Sequence, residues 1–120
     1  MTFSSAYKDY WLSFGLPVYD ENTVPDTAQM PYITYQYNEN GFDDGEVYLG
    51  VSLWYKGFSW FEVDLKAAEI KRDIQGFGGK VIKCDEGYIW LKRSSPFIQR
   101  VNDPNENIRH VVINLAVEFF

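Results

Sequence analysis

Hydrophobic side chains recur with the period of an α-helix near the start of the chain. The positions spaced i, i+3, i+4 and i+7 are Tyr7, Tyr10, Trp11 and Phe14. This spacing places all four rings on one face and predicts an amphipathic helix over residues 6–14. Ser4 or Ser5 is expected to cap its start, because a serine hydroxyl accepts hydrogen bonds from the free N–H groups of the first turn. Gly15 is expected to end it.

A second helical pattern begins at residue 59. Ser59 and Glu62 have the spacing of a capping box, in which the hydroxyl and the carboxylate each bind a free backbone N–H at the helix start. The apolar positions that follow recur at i, i+4, i+7 and i+11 and are Val63, Ala67, Ile70 and Ile74. We therefore predict a helix with one apolar stripe, which must lie against an apolar surface.

Alternating apolar and polar positions predict five strands. The predicted strands are Tyr32–Tyr37, Val47–Tyr55, Lys80–Cys84, Tyr88–Arg93 and Ile108–Phe119. The first two are expected to form an antiparallel hairpin. Ser94-Ser95-Pro96 is expected to end the fourth, because proline donates no hydrogen bond to a sheet. Residues 16–31 contain three prolines and no periodic pattern, so an extended loop is expected there.

The predicted order of elements is α-β-β-α-β-β-β. This order is typical of an α+β fold, here a mainly antiparallel sheet with two helices packed on it. A chain of 120 residues has the length of one domain, and its 46% hydrophobic content is enough to build a core. We therefore predict a single domain over residues 1–120.

The charges are distributed unevenly along this domain. The chain carries 11 Lys and Arg against 17 Asp and Glu, for a net charge of −6. Residues 9–55 contain eight acids and no base, whereas the remainder has 9 acids and 11 bases. This balance argues against sequence-independent binding of nucleic acid, which needs clustered Lys and Arg, and against binding to an anionic membrane surface.

The acidic charge is concentrated in the connection between the first two predicted strands. The acidic residues of this hairpin are Glu39, Asp43, Asp44 and Glu46. They lack the spacing of a calcium-binding loop, and a solvated hairpin tip is the expectation for them.

The residue types that usually carry catalysis are sparse and isolated. His110 is the only histidine and lies on the polar side of the last predicted strand, without a partner for a metal site or a catalytic pair. Cys84 is the only cysteine, so an intramolecular disulfide is excluded; Asp85 and Glu86 disfavour its thiolate, and a small buried hydrophobe is expected. The glycines of residues 76–79 follow a helix and precede a strand, the reverse of the order in phosphate-binding loops. No catalytic residue, cofactor or metal ligand is expected.

The sequence also predicts the compartment in which the chain folds. No uncharged apolar stretch approaches the length of a membrane span, and the first residues lack the basic segment and apolar run of a secretory signal. Folding in a reducing cytoplasm is expected, without a membrane partner.

A set of short motifs covers almost the whole chain. In the first half they are Pro31-Tyr32-Ile33-Thr34-Tyr35-Gln36, Val51-Ser52-Leu53-Trp54-Tyr55, Ser59-Trp60-Phe61-Glu62 and Lys66-Ala67-Ala68-Glu69-Ile70. In the second half they are Gly78-Gly79, Gly87-Tyr88-Ile89-Trp90-Leu91, Ser95-Pro96-Phe97, Ile108-Arg109 and Glu118-Phe119. Together these motifs resemble a family of small neck proteins of long-tailed bacteriophages, often called tail completion or minor capsid proteins.

The resemblance implies a tail terminator rather than an enzyme. Such a subunit forms a ring, typically hexameric, that caps the finished tail tube, stops its polymerisation and joins it to the head connector. The implied partners are further copies of the chain, the tail tube protein and the head-connector or stopper protein. DNA is expected to pass through the ring without specific binding. The implied location is the neck of the virion, assembled in the host cytoplasm.

Two groups of residues are candidates for roles in such a ring. Aromatic and arginine side chains are typical anchors of protein interfaces. The candidate subunit-interface residues of these types are Trp54, Trp60, Trp90, Arg100 and Arg109. The acidic hairpin is the candidate for the lumen wall or the tube-facing contact, since a ring repeats its charge around the channel and repels passing DNA.

Three alternatives stay open at the level of the sequence. A head-closure or stopper protein is also a small ring-forming neck subunit. An acidic inhibitor or DNA mimic that binds a basic host protein also carries an acidic stretch like residues 9–55. An enzyme with a carboxylate pair is the third. If the chain forms a ring, its acidic first half and mildly basic second half are expected to set the register between neighbours.

Overall fold

The computed structural model describes residues 1–41, 44–74, 76 and 78–120. The described residues form two helices and six strands. The helices are α1 (Phe3–Leu12) and α2 (Phe61–Ile74), and the strands are β1 (Val18–Asp20), β2 (Tyr32–Tyr35), β3 (Val47–Lys56), β4 (Lys80–Cys84), β5 (Gly87–Val101) and β6 (Ile108–Phe119). The prediction of an α+β fold with two helices is confirmed. Neither helix in this part of the chain has the length and apolar character needed to span a membrane.

The strands form one mixed sheet in the order β1-β2-β3-β6-β5-β4. β1 runs parallel to β2, whereas the other neighbouring strands pair antiparallel. The predicted hairpin of β2 and β3 is present, with Ile33 opposite Leu53. The predicted order α-β-β-α-β-β-β lacked β1, and the observed order is α-β-β-β-α-β-β-β. The predicted mainly antiparallel sheet is also corrected, because the parallel pairing of β1 makes the sheet mixed.

β1 lies inside the segment that was predicted to be an extended loop. It has only three residues, too few for an alternating pattern to show, and Pro17 directly precedes it. Its register places Val18 opposite Ile33, and Ile33 N donates to Pro17 O at 2.9 Å. The Tyr19 and Tyr32 rings meet edge to face with centroids 5.6 Å apart. The strand is therefore fixed by contacts with distant residues, which a local pattern does not report.

α1 begins three residues earlier than predicted. Thr2, and neither Ser4 nor Ser5, caps it, since its hydroxyl accepts the N–H of Ser5 at 3.1 Å. The predicted apolar face is confirmed: Tyr7 and Trp11 are completely buried. The earlier start also brings Phe3 onto Phe119, with ring centroids 5.2 Å apart.

α2 follows its predicted stripe but not its predicted cap. Ser59 Oγ accepts the N–H of Phe61 at 3.1 Å, whereas the predicted capping box requires the N–H of Glu62 and a return bond from the Glu62 carboxylate, and neither occurs among the described residues. All four residues of the predicted stripe are buried against the sheet. The helix carries acids in its first turn and bases in its last turn, in the sense that the helix dipole favours.

β5 continues past the point where it was predicted to end. It runs through Pro96, and its register against β6 shifts between Arg93 and Ile98. A bulge of this kind accommodates a residue without an N–H, because the bulged residues do not pair. Asn114 Nδ2 donates to Pro96 O at 2.9 Å and holds the bulge on the sheet.

The two faces of the sheet have different surroundings. Both helices cover one face, here called the covered face, and its side chains from the central strands are almost fully buried. They include Ile33, Leu49, Val51, Leu53, Val111, Ile113, Leu115 and Val117. The other face, here called the open face, has no helix on it in the described residues and carries the alternate side chains, such as Trp54 opposite His110.

Candidate assembly surfaces

Three of the five candidate interface residues come together beside the start of α2. The guanidinium carbon of Arg100 lies 4.6 Å from the centroid of the Trp60 ring, and that of Arg109 lies 5.2 Å from it. Arg100 Nη2 also contacts Asp64 Oδ2 at 2.6 Å. The strands β5 and β6 and the helix thus converge on one half-buried tryptophan, and cation–π attraction adds roughly 0.5–2 kcal/mol per contact.

Arg109 has a positioning role within this cluster. Its Nη2 and Nε donate to Phe58 O at 2.7 and 3.2 Å, and its Nη1 donates to Glu106 O at 2.7 Å. One guanidinium therefore ties the turn before α2 to the turn before β6. This use of the rigid planar fork is specific to arginine, because the N–H donors of lysine all lie on one nitrogen.

An apolar patch projects into solvent next to the cluster. Its members are Phe58, Phe61 and Leu65, whose exposed fractions are 72%, 68% and 54%. Phe61 and Leu65 are one helical turn apart on the outer face of α2, and Phe58 lines the same recess as Phe61. Contiguous large apolar side chains in water are characteristic of interaction sites.

Sequence reasoning missed this patch, although a signal was present. The predicted stripe of α2 accounts for Val63, Ala67, Ile70 and Ile74. Phe61 and Leu65 fall off that stripe, on the side that a helix lying on a sheet turns to solvent. The signal for the patch was therefore the presence of large apolar residues on the outer, polar side of a predicted amphipathic helix.

The other two candidate tryptophans lie on the open face and are already engaged within the subunit. Trp54 stacks on His110 with centroids 3.7 Å apart, and its Nε1 donates to Thr34 Oγ1 at 2.9 Å. Burial lowers the pKa of the His110 imidazole, an effect that Asp103 opposes. Trp90 Nε1 donates to Gly78 O, and Lys92 Nζ lies 4.2 Å from the Trp90 ring centroid.

The acidic hairpin is less uniform than its sequence indicates. Glu46 contacts Lys92 Nζ at 2.5 Å, and Glu118 contacts the same amine at 3.4 Å. Burial lowers the pKa of this amine, but the two carboxylates raise it by more, so its pKa lies above the usual value. Glu46 is thus an internal ion-pair partner rather than a free charge at a solvated tip.

The remaining acids of the hairpin sit closer to its end. Glu39 accepts a hydrogen bond from the Tyr37 hydroxyl. Asp44 Oδ2 accepts the N–H of Gly41 at 3.2 Å and closes a local turn. Asp43 lies outside the described residues. Exposed negative charge in the described part of the hairpin therefore comes from Glu39 and Asp44.

A shallow groove of about 420 Å³ crosses the middle of the open face. Its floor includes Gly50, Ser52 and Asn114, and the bulge of β5 forms one wall. These floor groups are neutral, and Glu21 is the charged residue of the lining. Asn114 Nδ2 also donates to Gln99 Oε1 at 3.2 Å. In the part of the chain that the structure describes, no three His, Cys, Asp or Glu side chains are grouped so as to hold a metal ion.

Comparisons with known proteins add no assignment to these surfaces. No protein-family model matches the sequence, and no curated protein is significantly similar to it.

Proposed function

We propose that the protein is a structural subunit of a bacteriophage neck, a tail terminator that forms a ring on the end of the tail tube. The ring stops tube polymerisation and joins the tube to the head connector. The proposal takes its role and its hexameric ring from the motif resemblance. It involves no catalysis and no cofactor.

The apolar patch of Phe58, Phe61 and Leu65 is the observation that carries the proposal. A subunit that works alone gains nothing from three exposed apolar side chains, whereas a subunit that assembles buries them at about 25 cal/mol per Å². The neighbouring Trp60, held between two strands and a helix, supplies a preorganised aromatic anchor of the kind that dominates interface energies.

The lumen or tube-facing role of the acidic hairpin belongs to the same proposal. It rests on Glu39 and Asp44 and on Asp43, whose position the structure does not describe. Repeated around a ring, these charges repel the DNA that passes through. Glu46 contributes less to such a field, because Lys92 neutralises it.

The proposal is tested by adding the purified protein to polymerising tail tube protein. Substoichiometric protein is expected to shorten the tubes seen by negative-stain electron microscopy and to appear as a ring at one tube end. Phe61→Ser is expected to weaken this capping at least about tenfold, the order of effect of removing an interface anchor. Leu12→Ser, which changes an exposed leucine on α1, is the matched control and is expected to cap normally.

The outcomes separate the alternatives. Protein that neither assembles nor shortens tubes contradicts the proposal. Rings that bind the connector but leave tube length unchanged identify a head-closure or stopper protein. A monomer that binds only a basic protein identifies an acidic inhibitor or DNA mimic.

A further inference from the structure

A second apolar patch lies at the corner of the sheet where β4, β5 and the end of β6 meet. It is here called the corner patch, and its members are Val81, Tyr88 and Phe120, whose exposed fractions are 50%, 40% and 45%. The Tyr88 and Phe120 rings stack with centroids 5.5 Å apart. Val81 pairs with Trp90, two residues beyond Tyr88, so Val81 and Tyr88 are diagonal neighbours across the two strands. The three side chains therefore form one surface.

The corner patch and the apolar patch lie on opposite sides of the sheet. Ile89 of β5 is completely buried on the covered face, so its neighbours Tyr88 and Trp90 turn to the open face. Val81 shares the open face, because it is directly opposite Trp90. The apolar patch, by contrast, extends from the outer surface of α2, the helix that packs on the covered face.

The two patches also lie at opposite ends of β6. Phe58 is next to the start of this strand, since its C=O accepts from the Arg109 guanidinium. Phe120 directly follows the last residue of the strand. β6 has 12 residues, and at about 3.3 Å per residue it spans roughly 40 Å, against 43 Å for the longest axis of the molecule. A contact between the two patches must therefore join two molecules.

Charge does not decide what covers the patches. The charged residues at the two rims are Lys56 and Glu62 beside the apolar patch and Lys83, Asp85 and Glu86 beside the corner patch. Both rims thus carry both signs. Asp85 contacts the N-terminal amine, and Glu86 accepts the N–H of Phe3 at 2.8 Å. The occupant has to be inferred from the apolar area.

The exposed areas of the two patches suit a contact between them. At roughly 200 Å² for each large apolar side chain, the exposed fractions correspond to roughly 350 Å² for the apolar patch and roughly 250 Å² for the corner patch. A standard protein interface buries about 1,600 Å², of which about 900 Å² is apolar. The two patches together supply about two thirds of that apolar area, whereas either patch against a polar surface supplies less than half.

We propose that the apolar patch of one subunit packs against the corner patch of the next copy of this chain. Two of the candidate interface residues, Trp60 and Trp90, lie beside the apolar patch and the corner patch respectively. The contact joins different surfaces of the two copies, so each added subunit offers a free patch to the next, and the assembly ends when the rotation closes a ring. Every subunit then buries both patches with one kind of contact. This inference rests on the proposed ring, and it assigns the subunit contact that the ring uses.

Complementation between two variants of the full chain tests the contact. The first variant removes the apolar patch by Phe61→Ser with Leu65→Ser, and the second removes the corner patch by Val81→Thr with Tyr88→Thr. The matched controls are Leu12→Ser and Tyr48→Thr, at residues that are 43% and 69% exposed outside both patches. Sedimentation velocity over a concentration series measures the assembly of each protein alone and of mixtures. Circular dichroism of each variant verifies that it is folded.

Each double variant alone is expected to raise the half-assembly concentration at least about thirtyfold, the order of effect of removing interface anchors. An equal mixture of the two is expected to form a dimer of about twice the 14.0 kDa of one chain, and no larger species. The reason is that the intact corner patch of the first variant meets the intact apolar patch of the second, which leaves no patch for a third subunit. The controls are expected to stay within about threefold of the parent.

Four results overturn the contact. Dimers formed by either double variant alone show that like patches pair. A mixture that stays monomeric shows that the two patches do not meet. A parent chain that stays monomeric at every concentration, or a Tyr48→Thr control that assembles as poorly as the corner-patch variant, overturns it too.

Tube capping separates this inference from the proposed function. Rings that depend on both patches but do not shorten tubes contradict the proposed function and leave the contact intact. A variant without the apolar patch that assembles like the parent but no longer shortens tubes identifies that patch as the tube-facing surface, and it overturns the contact alone.

Discussion

The two faces of the sheet are built from alternate residues of the same strands, yet they have opposite characters. On β6, Val111 and Ile113 of the covered face are completely buried under the helices. Their neighbours His110 and Val112, on the open face, remain partly accessible. One strand therefore supplies a dry core on one side and a polar, aromatic surface on the other.

This comparison distinguishes the residues that stabilise the fold, on the covered face, from the residues that are accessible to other molecules, on the open face. The covered face gains free energy from burial, roughly 1.5–3 kcal/mol for each large apolar side chain. The open face holds its groups by individual contacts, such as the Trp54 stack and the Lys92 ion pairs. Substitutions on the first face are expected to change stability, whereas those on the second are expected to cost much less.

The largest contrast is expected between two tryptophans. Trp11→Ala removes a completely buried ring that contacts Tyr10 and Phe14, and it is expected to lower the free energy of unfolding by about 3–5 kcal/mol. Trp54→Ala loses the His110 stack and the Thr34 hydrogen bond, and a loss of about 1–2 kcal/mol is expected. Urea unfolding followed by fluorescence measures both.

Equal losses for the two tryptophans would show that the open face is part of the core. If Trp11→Ala does not fold, Trp11→Phe provides the measurement, with a smaller loss in the same direction. Trp54→Phe is its matched partner on the open face.

A chemically identical pair sharpens the same comparison. Val111 and Val112 are adjacent on β6, and the first is completely buried whereas the second lines the open groove. Val111→Ala is expected to cost about 2–3 kcal/mol, and Val112→Ala less than about 1 kcal/mol. Since both variants remove the same two methyl groups, the difference in urea midpoint reports the position alone. A difference below the error of the fit contradicts the assignment of the two faces.

The covered face was predictable from the sequence because its pattern is periodic. Two periodic patterns indicate which side is buried: the alternation from Val111 to Phe119 and the stripe from Val63 to Ile74. β1 and the bulge at Pro96 were not predictable, since each is fixed by a distant strand. Local propensity indicates a loop for both segments, and pairing overrides it.

The candidate surfaces were predictable only in part. Residue type singled out Trp60, Arg100 and Arg109, and the structure brings them together. Their convergence depends on three elements that are far apart in the chain, so no spacing reveals it. The ion pair of Glu46 with Lys92 also joins residues that are far apart in the chain. It neutralises one of the acids that were predicted to lie at a solvated hairpin tip.

The smallest expected effect concerns the pH dependence of the open face. Burial lowers the pKa of the His110 imidazole in the folded state, so the unfolded chain binds a proton more readily. Stability from the neutral ring is complete above the unfolded pKa and is lost as the pH falls toward the folded pKa. We expect His110→Phe, which keeps a ring on Trp54, to lose less stability than the parent between pH 7.5 and pH 5.5, a window around the usual histidine pKa of about 6.5.

Thermal unfolding of parent and variant at both pH values isolates this contribution, because the carboxylates are common to both chains. Asp103 favours the charged imidazole. Asp103→Asn is therefore expected to increase the loss of stability of the parent between pH 7.5 and pH 5.5. The same substitution in the His110→Phe variant is expected to leave that variant's pH dependence unchanged. A parent and variant with the same pH dependence would place His110 in free solvent. Such a result would remove the Trp54–His110 stack from the contacts that hold the open face together.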